Sequence, residues 1–310
     1  MNPFRLLMLS AMNENGGNTT HRLLDGHPEL FTYPYESQVG TRFVDDHLSG
    51  MYPAKYRWPL FPVGCSADDY YEMIIDEETK ILLRTPHVSK FREAGMQMQE
   101  SERRRIFAQV LGQRHDRAAI IEAFFVATFR AWTDFNASGR ESLYVGYNPI
   151  IVVDAEAIIE DLQGRGYVLH VVRNPFSAYA DRKKRPTRQS IAHYALAWQI
   201  CLQQALYVQS RHPDHCFLLR YEDIIENPRQ VLGALLGKLG LGDSPSLEQP
   251  SWNGQPLPQV YPWGTIRVPS PEVNLATARQ LSPAEIGEIH DRLQPSLAGL
   301  GYLEIYHQIK

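Results

Sequence analysis

A chain of 310 residues, 44% of them hydrophobic, has ample material for a full hydrophobic core and does not have the composition of a disordered segment. A formal charge of −4 and a pI near 6.3 give no global attraction for nucleic acid or an anionic membrane, so any anion site must be local. Cys65, Cys201 and Cys216 are odd in number and far apart, which argues against a disulfide framework and a cysteine zinc site and fits a reducing, cytoplasmic setting.

The first predicted element is a strand over residues 4–10, Phe4-Arg5-Leu6-Leu7-Met8-Leu9-Ser10. The start from Met1 to Met12, which contains this strand, could pass for a signal peptide, but no small-x-small cleavage pattern follows, and no apolar run approaches the roughly 20 residues that span a bilayer. The loop Asn13-Glu14-Asn15-Gly16-Gly17-Asn18-Thr19-Thr20 then leads into a helix closing on Leu23-Leu24-Asp25. Small polar residues delivered by an apolar strand to a helix N-terminus make an anion cradle, because free backbone N–H groups and the helix dipole favour phosphate or sulfate. The loop holds no lysine or arginine.

Further strands are predicted over 30–33, 143–146, 167–172 and 216–220, and helices over 154–163, 190–211, 228–239 and 283–293. Short apolar runs alternating with helices imply βαβ units, hence one three-layer α/β domain around a mostly parallel five-stranded sheet. Asn227-Pro228 and Ser282-Pro283-Ala284-Glu285 mark two helix starts, the second with a capping-box glutamate. An insertion over about 52–133 turns strongly helical from about Gln97, and a Pro-, Gly- and Trp-rich stretch over 245–271 reads as a long irregular loop.

The run His170-Val171-Val172-Arg173-Asn174-Pro175 ends a buried strand in an arginine at its carboxyl edge, where open α/β sheets bind ligands. Arg173 there either grips a phosphate with two parallel hydrogen bonds or pairs structurally with a carboxylate. Arg182-Lys183-Lys184-Arg185 reads as a solvated run that could lend charge to such a pocket. His212, His215 and Cys216 have a spacing that could attract a metal, but Pro213-Asp214 reads as the turn before a strand.

With the acidic turn Tyr221-Glu222-Asp223-Ile224-Ile225-Glu226-Asn227-Pro228, the chain resembles the sulfotransferases, which use the donor PAPS (3'-phosphoadenosine 5'-phosphosulfate). The family's glycine loop, its V-R-[DN]-P strand and its Y-E-D turn occur here in order, over residues 6–241. The resemblance implies a P-loop NTPase-like sulfotransferase fold, and transfer of a sulfuryl group from PAPS to a hydroxyl or amine of a small-molecule acceptor, leaving PAP. It implies that Asn15, Gly16, Gly17, Asn18, Thr19 and Thr20 surround the 5'-phosphosulfate. Two registers are open, one counting Gly16 as the family's glycine and one aligning Thr19-Thr20 with its paired threonines. Arg173 matches the arginine on the 3'-phosphate, and Tyr221 a tyrosine near the adenine. Glu36, in Tyr33-Pro34-Tyr35-Glu36-Ser37, falls near a catalytic glutamate of carbohydrate and tyrosine sulfotransferases, where it would take the acceptor's proton. His87 is a second base candidate, because other branches use histidine.

Three positions depart from the pattern: Glu14 stands for the loop's basic residue, Asp181 for a phosphate-binding serine, and Gly146-Tyr147-Asn148-Pro149 lacks the family's lysine. A preorganised cation on a leaving oxygen contributes roughly 3 kcal/mol by analogy with oxyanion donors, so cations from elsewhere, Arg84, Arg182, Lys183 or Arg267, would have to serve. The other readings are a retained fold binding another ligand and an ATP-dependent kinase, the latter opposed by the missing Gly-Lys-Ser/Thr. Aromatic residues of the 252–267 stretch, including Tyr261 and Trp263, suggest an acceptor with an apolar face.

Overall fold

The computed structural model describes residues 3–42, 53–187, 189–257 and 270–310; Tyr261, Trp263 and Arg267 lie outside them. Strand β1 (Leu6–Ser10) leads into helix α1 (Gly17–Leu24) and strand β2 (Leu30–Thr32). Helices α2 (Ala67–Met73), α3 (Glu77–Arg84), α4 (Glu100–Leu111) and α5 (Arg117–Ala131) precede β3 (Leu143–Tyr147), α6 (Ala155–Asp161) and β4 (Gly166–Val172). Next come α7 (Pro175–Arg182), α8 (Ile191–Arg211), β5 (Cys216–Arg220), α9 (Tyr221–Glu226) and α10 (Pro228–Lys238). Short strands β6 (Ser251–Trp252) and β7 (Gln255–Pro256) and helices α11 (Pro271–Ala278), α12 (Pro283–Gly299) and α13 (Leu303–Ile309) complete the order.

The main sheet runs β2-β3-β1-β4-β5 with every neighbouring pair parallel. Along central β1, Leu6 and Met8 join an apolar cluster with Phe124, Phe125, Ile158 and Trp198, whereas Leu7 and Leu9 join Leu23, Leu24, Leu232 and Leu236. Because side chains alternate along a strand, α5, α6 and α8 cover one face and α1 and α10 the other. This is the expected three-layer α/β sandwich, and burial on both faces explains why β1 reads as an unbroken apolar run.

Ser190 caps α8 by accepting from the His193 amide, and Ser282 with Glu285 forms the capping box of α12. Asn227 precedes α10 as expected, but its side chain makes no capping bond. α12 extends beyond residue 293 to Gly299 even though Pro295 lies within it, because Leu297 continues its buried face. The insertion becomes helical well before Gln97, since Ser66 and Asp69 form a capping box that starts α2. Within the 245–271 stretch, residues 245–257 are also less irregular than expected. Asn253 and Gly254, at φ 50° and 74°, turn β6 back onto β7 as an antiparallel hairpin, the turn chemistry Asn-Gly favours.

No helix among the described residues is long and apolar enough to cross a membrane, and Cys65 and Cys216 are free thiols. His215 stacks on Tyr167 and bonds the Gly166 carbonyl, while Cys216 begins β5, which is the turn-and-strand arrangement read from Pro213-Asp214.

A buried polar network pins the insertion to the sheet. Arg103 of α4 pairs with Asp76 at 2.6 Å, both side chains fully buried. Its other nitrogens reach the Tyr33 hydroxyl at 2.9 Å and the Thr128 hydroxyl at 2.8 Å and 3.1 Å. Tyr33 donates to Asp76 at 2.8 Å, so the end of β2, the start of α3, α4 and α5 meet at one satisfied cluster.

Candidate functional site

Parallel strands place their carboxyl ends together, and a cavity of about 500 Å³ opens there. Its wall takes Asn13, Glu14, Gly16, Gly17, Asn18 and Thr19 from the loop after β1, Tyr147 from the end of β3, Arg173 from beyond β4 and Tyr221 from beyond β5. Helix α1 begins at Gly17 with Gly16 as its N-cap, without a side-chain cap or an acidic residue in its first turn. Its first N–H groups have no intrahelical acceptors and abut the cavity, which leaves them available to an anion.

The chain turns into α1 at Gly16, the glycine of the register counted back from Asp25. Thr19 and Thr20 lie inside the helix, and the Thr20 hydroxyl bonds the Gly16 carbonyl at 3.0 Å. Gly16 has φ +86°, and a Cβ on it would sit 2.1 Å from the Tyr221 ring. Asn15 is buried and structural: its Oδ1 accepts from the Arg173 amide at 3.0 Å, and its Nδ2 reaches the Tyr194 hydroxyl at 3.3 Å. Asn15 thus ties the loop to the end of β4.

Arg173 is held on several sides. Its Nε donates to Asn274 Oδ1 at 2.7 Å, and its Nη1 to the Glu14 carbonyl and to Asp181 Oδ2, both at 2.9 Å. The guanidinium also lies over the Tyr221 ring, 5.3 Å from its centroid. Asp181 takes a second bond from Lys184 at 2.8 Å. Burial alone would raise the Asp181 pKa, but the Lys184 hydrogen bond and the charge and hydrogen bond of Arg173 outweigh it and hold the carboxyl below its ordinary value. Glu14 does not point bare charge at the cradle, because Arg185 bonds its carboxylate at 2.6 Å.

Glu222, of the Tyr-Glu-Asp turn, supports this end of the site. Its Oε1 accepts from the Asn174 amide and side chain and from Asn274 Nδ2, and its Oε2 from the Tyr302 hydroxyl at 2.8 Å. α9, α11 and α13 are thereby joined behind Arg173. The basic run divides: Lys184 and Arg185 line the cavity, while Arg182 bonds Gln189 and Lys183 pairs with Glu285. Arg84 pairs with Glu72 and Glu100 and is not on the cavity wall. The cavity's cations among the described residues are therefore Arg173, Lys184, Arg185 and Lys90 rather than Arg84, Arg182 or Lys183.

Glu36 also lines the cavity, beside Glu78, a residue no sequence motif singled out. The Glu36 amide donates to Glu78 Oε2 at 3.3 Å, the Tyr56 hydroxyl hydrogen-bonds the Glu36 carboxylate, and Lys90 pairs with Glu78 at 2.5 Å. His87 sits exposed on the turn Pro86–Val88 and is not among the residues lining the cavity. Tyr35 and Phe91, also on the cavity wall, stack at 4.0 Å, with Trp252 5.3 Å behind Tyr35. Tyr147 brings its hydroxyl to within 2.3 Å of where a Gly17 Cβ would be, and burial above all, then the Glu36 charge, keeps that phenol protonated as a donor.

Burial, and next the Glu36 charge, push the Glu78 carboxyl up to about 7. A carboxyl whose folded pKa exceeds its unfolded value adds stability in acid that is lost as pH rises through the folded pKa. Glu78 should therefore weaken the fold progressively between about pH 4.5 and about pH 7. Urea unfolding at pH 5 and pH 8 should show Glu78→Gln losing about 2 kcal/mol less than the wild type over that interval. Parallel pH dependences would rule out the buried carboxylate pair.

No family model matches the chain, and no curated protein sequence matches it. Among solved structures it is similar to the sulfotransferase domain of the olefin synthase from Synechococcus PCC 7002, at 17% identity and TM-score 0.52, covering 90% of this chain and 94% of that one. The sulfotransferase domain from the curacin biosynthetic pathway matches at 16% identity and TM-score 0.45, covering 94% and 98%. The first of these likenesses, with the all-parallel five-stranded sheet, makes the fold a sulfotransferase fold.

Proposed function

We propose that the protein is a sulfotransferase that moves a sulfuryl group from an adenine nucleotide phosphosulfate of the PAPS type to a hydroxyl or amine of a small acceptor. The observation that supports this most is the convergence of an uncapped helix N-terminus, Arg173 and Glu36 on one cavity at the carboxyl ends of parallel strands. The α1 N-terminus and its glycines suit a 5'-phosphosulfate, while the Arg173 end is already held by Asp181. When bound, such a donor supplies a sulfur whose bond to the phosphate oxygen breaks as the acceptor oxygen or nitrogen bonds to it.

Glu36 takes the proton that the acceptor gives up, and Tyr56 orients that carboxylate by hydrogen bonding. Lys90 and Glu78 set the charge around it. The Tyr147 phenol, beside the helix N-terminus, donates a hydrogen bond toward the leaving phosphate where a lysine would otherwise stand. Tyr35 and Phe91 offer an apolar wall to the acceptor.

The test supplies sulfur-labelled PAPS and adenosine 5'-phosphosulfate with a panel of phenols, alcohols and amines. Label should pass to at least one acceptor class. Arg173→Ala should weaken binding of the desulfated nucleotide by about tenfold or more, and Glu36→Gln should keep that binding while slowing turnover by about 100-fold or more. Failure of every desulfated nucleotide to bind, with no label transfer, would overturn the assignment.

A further inference from the structure

The Arg173 end of the cavity is built around a carboxylate. Asp181 Oδ2 lies 2.9 Å from Arg173 Nη1, and its Oδ1 lies 2.8 Å from Lys184 Nζ. The same Arg173 nitrogen donates to the Glu14 carbonyl, and Nε is taken by Asn274, which Glu222 in turn holds in place. Arg185, the neighbouring cation, is bonded to the Glu14 carboxylate. Asp181 and Glu14 are thus each paired with a cation, and the Asp181 carboxyl is held below its ordinary pKa, burial being outweighed by Lys184 and Arg173.

A phosphate offered to Arg173 would meet the Asp181 charge at the guanidinium edge it needs. A hydroxyl meets the reverse situation. Each Asp181 oxygen carries one hydrogen bond, and a carboxylate oxygen has a second lone pair for a hydroxyl donor. Nucleotide sites use this chemistry generally: a carboxylate selects a free ribose hydroxyl, and an unpaired arginine accommodates a ribose phosphate. Resting on the reading of the cavity as a nucleotide phosphosulfate site, we propose that Asp181 makes it specific for a nucleotide whose ribose carries free hydroxyls. The donor class is then a nucleoside 5'-phosphosulfate without a 3'-phosphate, with the ribose hydroxyl donating to Asp181.

The test is calorimetric titration of the whole protein with AMP and with PAP, the desulfated forms of the two donors. Wild type should bind AMP about tenfold or more tighter than PAP, and both Asp181→Ser and the isosteric Asp181→Asn should move that ratio about tenfold or more toward PAP. PAP binding as tightly as AMP to the wild type overturns this inference and leaves sulfuryl transfer standing. A ratio that both folded variants leave unchanged also overturns it. If neither nucleotide binds the wild type, the sulfotransferase reading fails and takes this inference with it. Where a variant does not fold, the wild-type ratio decides alone.

Discussion

Arg103→Met should lower the unfolding free energy by about 3–5 kcal/mol, because it strands the Asp76 carboxylate without its cation in a fully buried site. Methionine fills similar space, so the cost comes from lost charge compensation more than from a cavity. The Tyr33 and Thr128 hydroxyls would lose donors at 2.9 Å and 2.8 Å in the same step. Asp76 itself has φ +36°, a conformation that the surrounding bonds must hold. Urea unfolding at pH 7 measures the effect, and a cost under about 1 kcal/mol would show that water or a rearranged carboxyl replaces the pair. Because Glu78 lies two residues beyond Asp76, the variant should also loosen the carboxylate wall of the cavity. Asp76→Leu combined with Arg103→Met should cost clearly less than the two single changes summed, since neither charge is then left alone.

The sheet was legible because all five strands are short apolar runs between helices, a pattern that period and length resolve without tertiary knowledge. The carboxyl-edge position of Arg173 was legible for the same reason. What it touches was not. Asn274 arrives from α11, about a hundred positions away, and nothing in Ser270-Pro271-Glu272-Val273-Asn274 beyond a capped helix start marks a ligand to an arginine. Glu78 and Lys90 belong to the insertion, whose packing against Glu36 depends on the buried Arg103 network rather than on local pattern. The Asn253-Gly254 hairpin is different: its turn signal stood in the sequence, hidden by the surrounding prolines and glycines. Substitutions that looked like lost function, Glu14 and Asp181, are in the structure paired acids, Asp181 with Lys184 three residues on and Glu14 with Arg185, just past the end of α7.

Gly16→Ala should be the most damaging single change in the loop. At φ +86° an L side chain is strained, and its methyl would lie 2.1 Å from Tyr221 Cδ2 and 2.8 Å from Cγ, the body of a buried ring rather than a movable tip. Left-handed backbone costs about 1–2 kcal/mol and overpacking about 1–3 more, so a loss of about 2–5 kcal/mol is expected in urea unfolding. The ring cannot yield freely, because it carries the Arg173 guanidinium on its face and hydrogen-bonds Thr19. Pushing it aside therefore disturbs both ends of the cavity at once, and under the proposed function nucleotide binding should fall further than the loss of folded protein accounts for. A double-mutant cycle separates the two causes. In a Tyr221→Ala background the clash is gone and Gly16→Ala should cost only the backbone share, about 1–2 kcal/mol. An equal cost in both backgrounds would mean that the tyrosine does not rest on the glycine, and that the close approach which makes Gly16 obligatory does not exist in solution.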